Sequence, residues 1–495
     1  MTILAIDQGT TSTRAMLLTA SGETKVVKSI EHKQYYPQSG WVEHDPETLI
    51  ENLRSCLDID YDFSAIGLAN QGESCLAWHA QTKAAICPII VWQDNRTEPA
   101  IESLKQQGYE ALVKDKTGLP LDSYFSASKL AWIMQNVPAA KMLLQQGNLR
   151  LGTTDAFFLD SLTGHFVTDI TTASRTSLMN IDSGQWDLQL CELFGVPIQA
   201  LPKITASTGD FGSVEITGKQ DSKTEKAASS HKNHKTHKSK RVPITASIVD
   251  QQASLFGHHC KAQGDAKITF GTGAFAMTIT GEQVFRAPQQ GLLPTVAWQF
   301  AGQAPIYALD GGVHCASSAL NWAKSLGLFS EFSQINQFNA PPAIERNLVF
   351  VPALTGLACP HWDRSAAGLW IGLSLATSPL DMVQAILEGI ALRACEVLQA
   401  MAEFTQLNRA ISIDGGMSAN PYFCQFLANV LQREVCVPTS AELTALGTAM
   451  LAKKGRDPAA IQCVNSRQGI RYQPLSTNNS YMATFNKAIE RSKNW

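Results

Sequence analysis

Within eight positions, Asp7-Gln8-Gly9-Thr10-Thr11-Ser12-Thr13-Arg14 gathers a carboxylate, a glycine, a run of hydroxyl side chains and a guanidinium. Such a turn suits phosphate. Glycine lets the backbone approach closely and take positive φ, so several N–H groups converge on one anion. Thr10, Thr11 and Ser12 add hydroxyl donors, and Arg14 adds a planar positive fork. Asp7 cannot bind phosphate itself, but a carboxylate there suits Mg²⁺ held through water. Gly271-Thr272-Gly273 is a smaller cradle of the same kind, and Asp414-Gly415-Gly416 adds a third glycine element. Each turn alone is commonplace. Two of them about 260 positions apart, with the Asp-Gly-Gly element, predict a nucleotide clamped between two lobes. No GxxxxGK[ST] occurs, so this is not a P-loop.

The elements that must carry these turns are legible nearby. Ile3-Leu4-Ala5-Ile6 and Arg14-Ala15-Met16-Leu17-Leu18 read as two apolar strands joined by the first turn, a hairpin. Lys267–Phe270 and Ala274–Ile279 repeat that plan around the second. The repetition suggests an internal duplication, with a linker expected near residues 240–250. Asp45-Pro46-Glu47 caps a helix through about Leu57, proline standing at its first turn. Helical periodicity covers Ser128–Asn136 and Pro379–Phe404. Ile411–Asp414 reads as a strand, and Asn420-Pro421 opens a helix to about Gln432. Strands alternating with helices predict α/β layers in both halves.

Length and composition set the frame. At 495 residues the chain exceeds one ordinary core, so two or three domains are expected. With 44% hydrophobic and 17% charged residues it reads as globular, not fibrous or disordered. No apolar run reaches about 18 residues, and the acid at position 7 does not suit a signal peptide. Eleven cysteines without a CxxC pair read as reduced thiols of a cytoplasmic protein. Eight Lys/Arg and two Asp/Glu between Lys219 and Arg241 make a basic island, so the remainder is more acidic than the overall −3. Residues of about 217–240 carry almost no apolar side chain and read as a flexible insertion. His231, His234 and His237 lie three apart within it, but nothing rigid fixes them for a metal. One island on an acidic body is not the footprint of a nucleic-acid binder.

The order of DQGTTSTR, TFGTGAF and SIDGGMSAN resembles the actin, hexokinase and sugar-kinase superfamily, and within it the FGGY carbohydrate kinases. Tyr124–Ile133 (YFSASKLAWI) is similar to that family's signature. YPQSGWVEHDPE (36–47), VTDITTASRTSLMNI (167–181), DQQASLFG (250–257) and ELTALGTAM (442–450) resemble its glycerol kinase branch. The likeness runs from about Ile3 to Gly455. It implies two actin-like (ribonuclease H-like) α/β ATPase lobes, residues 1–245 and 246–495, with a cleft between them. It implies an ATP- and Mg²⁺-dependent kinase acting on glycerol or a related polyol or sugar, in a homodimer or homotetramer. Carried over by position, Thr10, Thr11, Ser12, Arg14 and Thr272 would contact the nucleotide phosphates. Ser317, Asn321, Gly416 and Asn420 would hold ADP. Asp250 would be the catalytic base, with Glu73, Trp92, Tyr124, Gln251 and Phe275 around the polyol. The chemistry agrees: phosphoryl transfer asks for positioning, charge screening and one base. A non-catalytic nucleotide or sugar sensor would be expected to have lost some of these groups.

Two departures stand out. Where glycerol kinases have Asn-Gln-Arg-Glu-Thr, this chain has Asn70-Gln71-Gly72-Glu73-Ser74. Loss of that guanidinium removes a clamp on substrate hydroxyls and leaves room, so a four- or five-carbon polyol or ketose is the second expectation. Val249-Asp250 replaces the usual Gly-Asp, and the basic insertion puts regulation by a sugar bisphosphate in doubt.

Overall fold

A computed structural model describes the chain except residues 218–238, 287–289, 409, 460–468, 476–479 and 495, and the side chains at 217 and 239. The expected basic insertion and its three histidines therefore lie outside the described residues, apart from the insertion's two ends. The chain divides into two compact units. The first comprises Met1–Gly257, Val296–Pro305 and Glu442–Val464; the second comprises His258–Thr295, Ile306–Ala441 and Asn465–Trp495.

In the first unit a six-stranded mixed sheet runs in the order Ser213–Thr217, Ser239–Val249, Ala65–Asn70, Ile3–Gln8, Ser12–Leu18, Thr24–Glu31. Ala65–Asn70 runs parallel to both Ile3–Gln8 and Ser239–Val249, and the other neighbours pair antiparallel. The apolar hairpin expected at the N-terminus forms, with Asp7 opposite Arg14 and Gln8 opposite Thr13. Register levels three parallel strand ends, because Gln8 pairs with Asn70 and Asn70 with Val249. The stretch 240–250 is not a linker. Val242, Ile244, Ala246 and Ile248 alternate into the core, which makes Ser239–Val249 a buried strand of this sheet.

Helix Leu443–Arg456 lies across these strands and against helix Asp250–Gly257. A Cβ on Gly447 would sit 1.9 Å from the Ala253 carbonyl oxygen, so only glycine permits that approach. The capped helix Pro46–Leu57 forms as expected, with Asp45 accepting from the Thr48 N–H. The helix expected at Ser128 begins two residues earlier, at Ser126.

The second unit repeats the plan. Its sheet includes, in order, Ile306–Val313, Ala274–Gly281, Ala266–Phe270, Ala410–Gly415, Glu434–Pro438 and Gly469–Tyr472. Ala266–Phe270 pairs antiparallel with Ala274–Gly281 and parallel with Ala410–Gly415, as Ile3–Gln8 pairs with its two neighbours. The core closes on the helix Pro379–Ala402, which ends two residues short of Phe404. Asn420 caps the helix Pro421–Leu431. Among the described residues no helix is long and apolar enough to cross a membrane.

Candidate active site

The levelled strand ends of the first unit place Asp7 and Asp250 near the carboxyl ends of the parallel strands. Asp250 follows Val249 directly and opens the helix Asp250–Gly257, where its Oδ1 accepts from the Gln251 N–H at 2.6 Å. Val249 is held in turn: its N–H donates to Thr171 Oγ1 at 3.1 Å, and that hydroxyl donates to Asp169. Asp169 caps the short helix Ile170–Ala173 and also accepts from Ser207 Oγ at 2.6 Å. Burial pushes the Asp169 carboxyl up to about 7 against these donors.

Asp7 keeps part of its side chain accessible, but its Oδ1 is buried and lacks a hydrogen-bond partner. Burial first, then the charges of Asp250 and Glu442, push its pKa up to about 7, against the pull of Arg14. A buried, orphaned carboxylate oxygen is a place for a cation. Among the described residues no three Asp, Glu, His or Cys side chains close around a metal position, so the fit is to an ion bound mainly by water and phosphate.

Around the first turn the Gly9 N–H donates to the Ser12 carbonyl at 3.0 Å, and Arg14 Nη1 reaches Glu442 at 3.0 Å. Trp92 Nε1 donates to Thr10 Oγ1 at 3.2 Å, tying an expected polyol residue to an expected phosphate residue. The Trp92 and Tyr124 rings meet edge to face, with centroids 5.6 Å apart. Tyr124 is itself fixed from behind, since the wholly buried Lys129 donates to the carbonyls of Ser123 and Tyr124. Glu73 is buried, and its Oε1 accepts from Arg175 Nε at 2.7 Å. The structure thus brings together Asp7, Thr10, Arg14, Glu73, Trp92, Tyr124 and Asp250, with Thr11, Ser12 and Gln251 beside them in sequence.

Gly72 has φ of +67°, the left-handed region that favours glycine. A Cβ there would meet only Val249 Cγ1, at 3.4 Å. The two departures from the glycerol kinase pattern are therefore neighbours.

In the second unit the turn Gly271-Thr272-Gly273 receives the start of the helix Ser317–Ser325. The Ser317 N–H donates to the Gly271 carbonyl at 3.1 Å, and the Ser318 hydroxyl donates to that of Thr272 at 2.9 Å. Asn321 stands one helical turn beyond Ser317, and Gly416 lies beside it, its Cβ position 3.9 Å from Ser317 Oγ. Phe275 lies next to Gly312 on the adjacent strand. Asn420 uses its side chain within the fold, accepting from the Phe423 N–H and donating to the Ile335 carbonyl, both at 2.8 Å.

Reading by residue type passed over Arg175, Lys129 and Glu442. All three stood inside stretches that carried the resemblance (167–181, 124–133 and 442–450), but nothing local marks which side chain they meet.

The N-terminal domain model of the FGGY family of carbohydrate kinases matches residues 2–257, and the C-terminal domain model matches residues 266–454. A glycerol kinase of Burkholderia cenocepacia is 36% identical, the match covering 100% of this chain and 98% of that one. A glycerol kinase of Gluconobacter oxydans is 38% identical over 91% and 86%. The crystal structure of Plasmodium falciparum glycerol kinase with ADP superposes with a TM-score of 0.88 at 28% identity, covering 99% and 98%. A xylulose kinase from Brucella ovis, 19% identical with a TM-score of 0.82, shares the fold. With both family domains matched in order along a two-unit α/β fold, the chain belongs to the FGGY family of carbohydrate kinases.

Proposed function

We propose that this kinase phosphorylates a terminal hydroxyl of a small polyol, with glycerol as the lead substrate, ATP as donor and Mg²⁺ as the accompanying ion. The observation that carries this is the convergence of Asp7 and Asp250 at the carboxyl ends of the parallel strands, with the Trp92–Thr10 pair beside the first turn and the buried Glu73 beside Gly72, itself next to Val249. Asp250 accepts the proton of the attacking hydroxyl, a role worth about 10²–10⁴-fold in rate. Glu73 and Gln251 hold the substrate's hydroxyls, while Trp92, Tyr124 and Phe275 cover its C–H faces. Thr10, Thr11, Ser12 and Arg14 take the phosphates from the first unit. Thr272, Ser317, Asn321, Gly416 and Asn420 are the nucleotide residues of the second, Asn420 through its main chain because its side chain caps a helix. Asp7 would hold Mg²⁺ through water, its orphaned oxygen supporting that role; the bound ion supplies screening of phosphate charge.

Full-length likeness to glycerol kinases supports glycerol. The space beside Gly72 favours a second reading, a four- or five-carbon polyol or ketose. Retention of the whole cluster speaks against a non-catalytic sensor. Ten described cysteines, all free thiols, support a reducing cytoplasmic setting, and assembly as a homodimer or homotetramer rests on family resemblance. The test is ADP release measured with glycerol, tetritols, pentitols and ketopentoses. Glycerol-dependent turnover above the rest supports the lead reading, preference for longer substrates supports the second, and none with any removes both.

A further inference from the structure

The first unit contains a buried ion pair whose arginine is assigned no work by the catalytic roles above. Arg175 Nε donates to Glu73 Oε1 at 2.7 Å, and the two side chains are 6% and 5% exposed. A buried pair of this kind is costly to desolvate and often adds little to stability, so its presence here asks for another reason. Its surroundings supply one. The Arg175 guanidinium carbon lies 5.7 Å from the Tyr124 ring centroid and 5.5 Å from that of Phe125, so carboxylate and two aromatic rings fix it together. Arg175 follows the helix Ile170–Ala173, whose cap Asp169 and hydroxyl Thr171 also hold the strand end before Asp250. Directly before Glu73, position 72 offers no side chain and a backbone strained for any residue but glycine.

We infer that Arg175 is the positioning and specificity-determining residue of the polyol site, orienting Glu73 to accept from substrate hydroxyls and supplying from position 175 the charge that position 72 lacks. This rests on the polyol-kinase reading of the same site. Acting through Glu73, Arg175 governs affinity for the polyol and leaves the nucleotide alone. Its flat fork, gripped between a carboxylate and two rings, is not replaced by the point charge of lysine.

The test uses the full-length protein with Arg175→Lys, Arg175→Gln, Glu73→Gln and the double variant Arg175→Gln/Glu73→Gln. KM values for polyol and ATP, kcat, polyol binding by calorimetry and Tm are measured for each. Arg175→Lys keeps the charge and is expected to fold with unchanged Tm while raising the polyol KM about tenfold, as loss of a charge-assisted hydrogen bond does, with the ATP KM within about twofold. Arg175→Gln is expected to be worse, and the double variant no worse than Glu73→Gln alone, because residues acting as one unit are not additive. An unchanged polyol KM in Arg175→Lys overturns the inference even if Arg175→Gln fails to fold. So does a parallel rise in both KM values, or multiplication of the two single effects. If wild type binds a polyol without turning it over, the same comparison is made on Kd, and the inference stands or falls apart from the kinase reading. If wild type neither binds nor phosphorylates any polyol, both are overturned together.

Discussion

Asp7 lies one residue before the end of one parallel strand and Asp250 one residue past the end of another, the pairings Gln8–Asn70 and Asn70–Val249 levelling the two strand ends, so that the Asp250 charge adds to burial in raising the Asp7 pKa. This relationship ties the proposed ion site to the proposed base and has consequences that can be measured.

Replacing Asp250 by Asn removes the proposed proton acceptor and one of the two carboxylates crowding Asp7. Turnover is expected to fall by about 10²–10⁴-fold while nucleotide binding persists. The apparent pKa of Asp7, followed by carboxyl NMR, moves down. A near-normal rate takes Asp250 out of the mechanism.

The raised Asp7 pKa also predicts how stability depends on pH. Its ordinary value is 3.8 and its folded value about 7, so between these the folded state holds more proton than the unfolded one. Its contribution is therefore constant below about 4, declines as pH rises towards 7 and is flat above. Asp7→Asn removes this decline, so its Tm relative to wild type climbs from pH 4 to pH 7 in the absence of ligand. Mg²⁺ with nucleotide should release a proton near pH 6 from wild type and none from the variant. A Tm difference independent of pH refutes the assignment.

A Cβ at position 72 would lie 3.4 Å from Val249 Cγ1, so the two departures from the glycerol kinase pattern should be coupled. Gly72→Arg puts a side chain on a left-handed backbone at a cost of about 1–2 kcal/mol, and Gly72→Ala pays the same strain as its control. Gly72→Arg paired with Val249→Gly is expected to lower the glycerol KM more than either change alone, with less activity on longer polyols. Additive effects show that the two positions act independently.

Thr171 holds the strand end that aims Asp250. Thr171→Val strands the Val249 N–H, at about 1–3 kcal/mol of stability. It also takes a donor from Asp169, whose pKa then climbs above about 7. A lower kcat with an unaltered ATP KM is the signature of a misaimed base. Equal loss of kcat and of ATP affinity points to general damage instead.

The hairpins, the Asp45 and Asn420 caps and the glycine turns could be read along the chain, because each depends on neighbours a few positions away. The family motifs likewise marked Asp250, Glu73 and the glycine turns as candidates before any fold was known. Which charges meet was a different matter. Arg175 and Glu73 are 102 positions apart, and Arg14 and Glu442 are 428 apart. Partners at that distance are chosen by strand order and register, which the chain's local pattern does not contain. The same is true of residues 240–250, where a basic run hides a central strand until its neighbour Ala65–Asn70 supplies the hydrogen bonds. Local chemistry thus suggested the candidate groups, while the tertiary fold decided which strand ends lie level, how strongly Asp7 holds its proton and which arginine stands beside the Glu73 carboxylate.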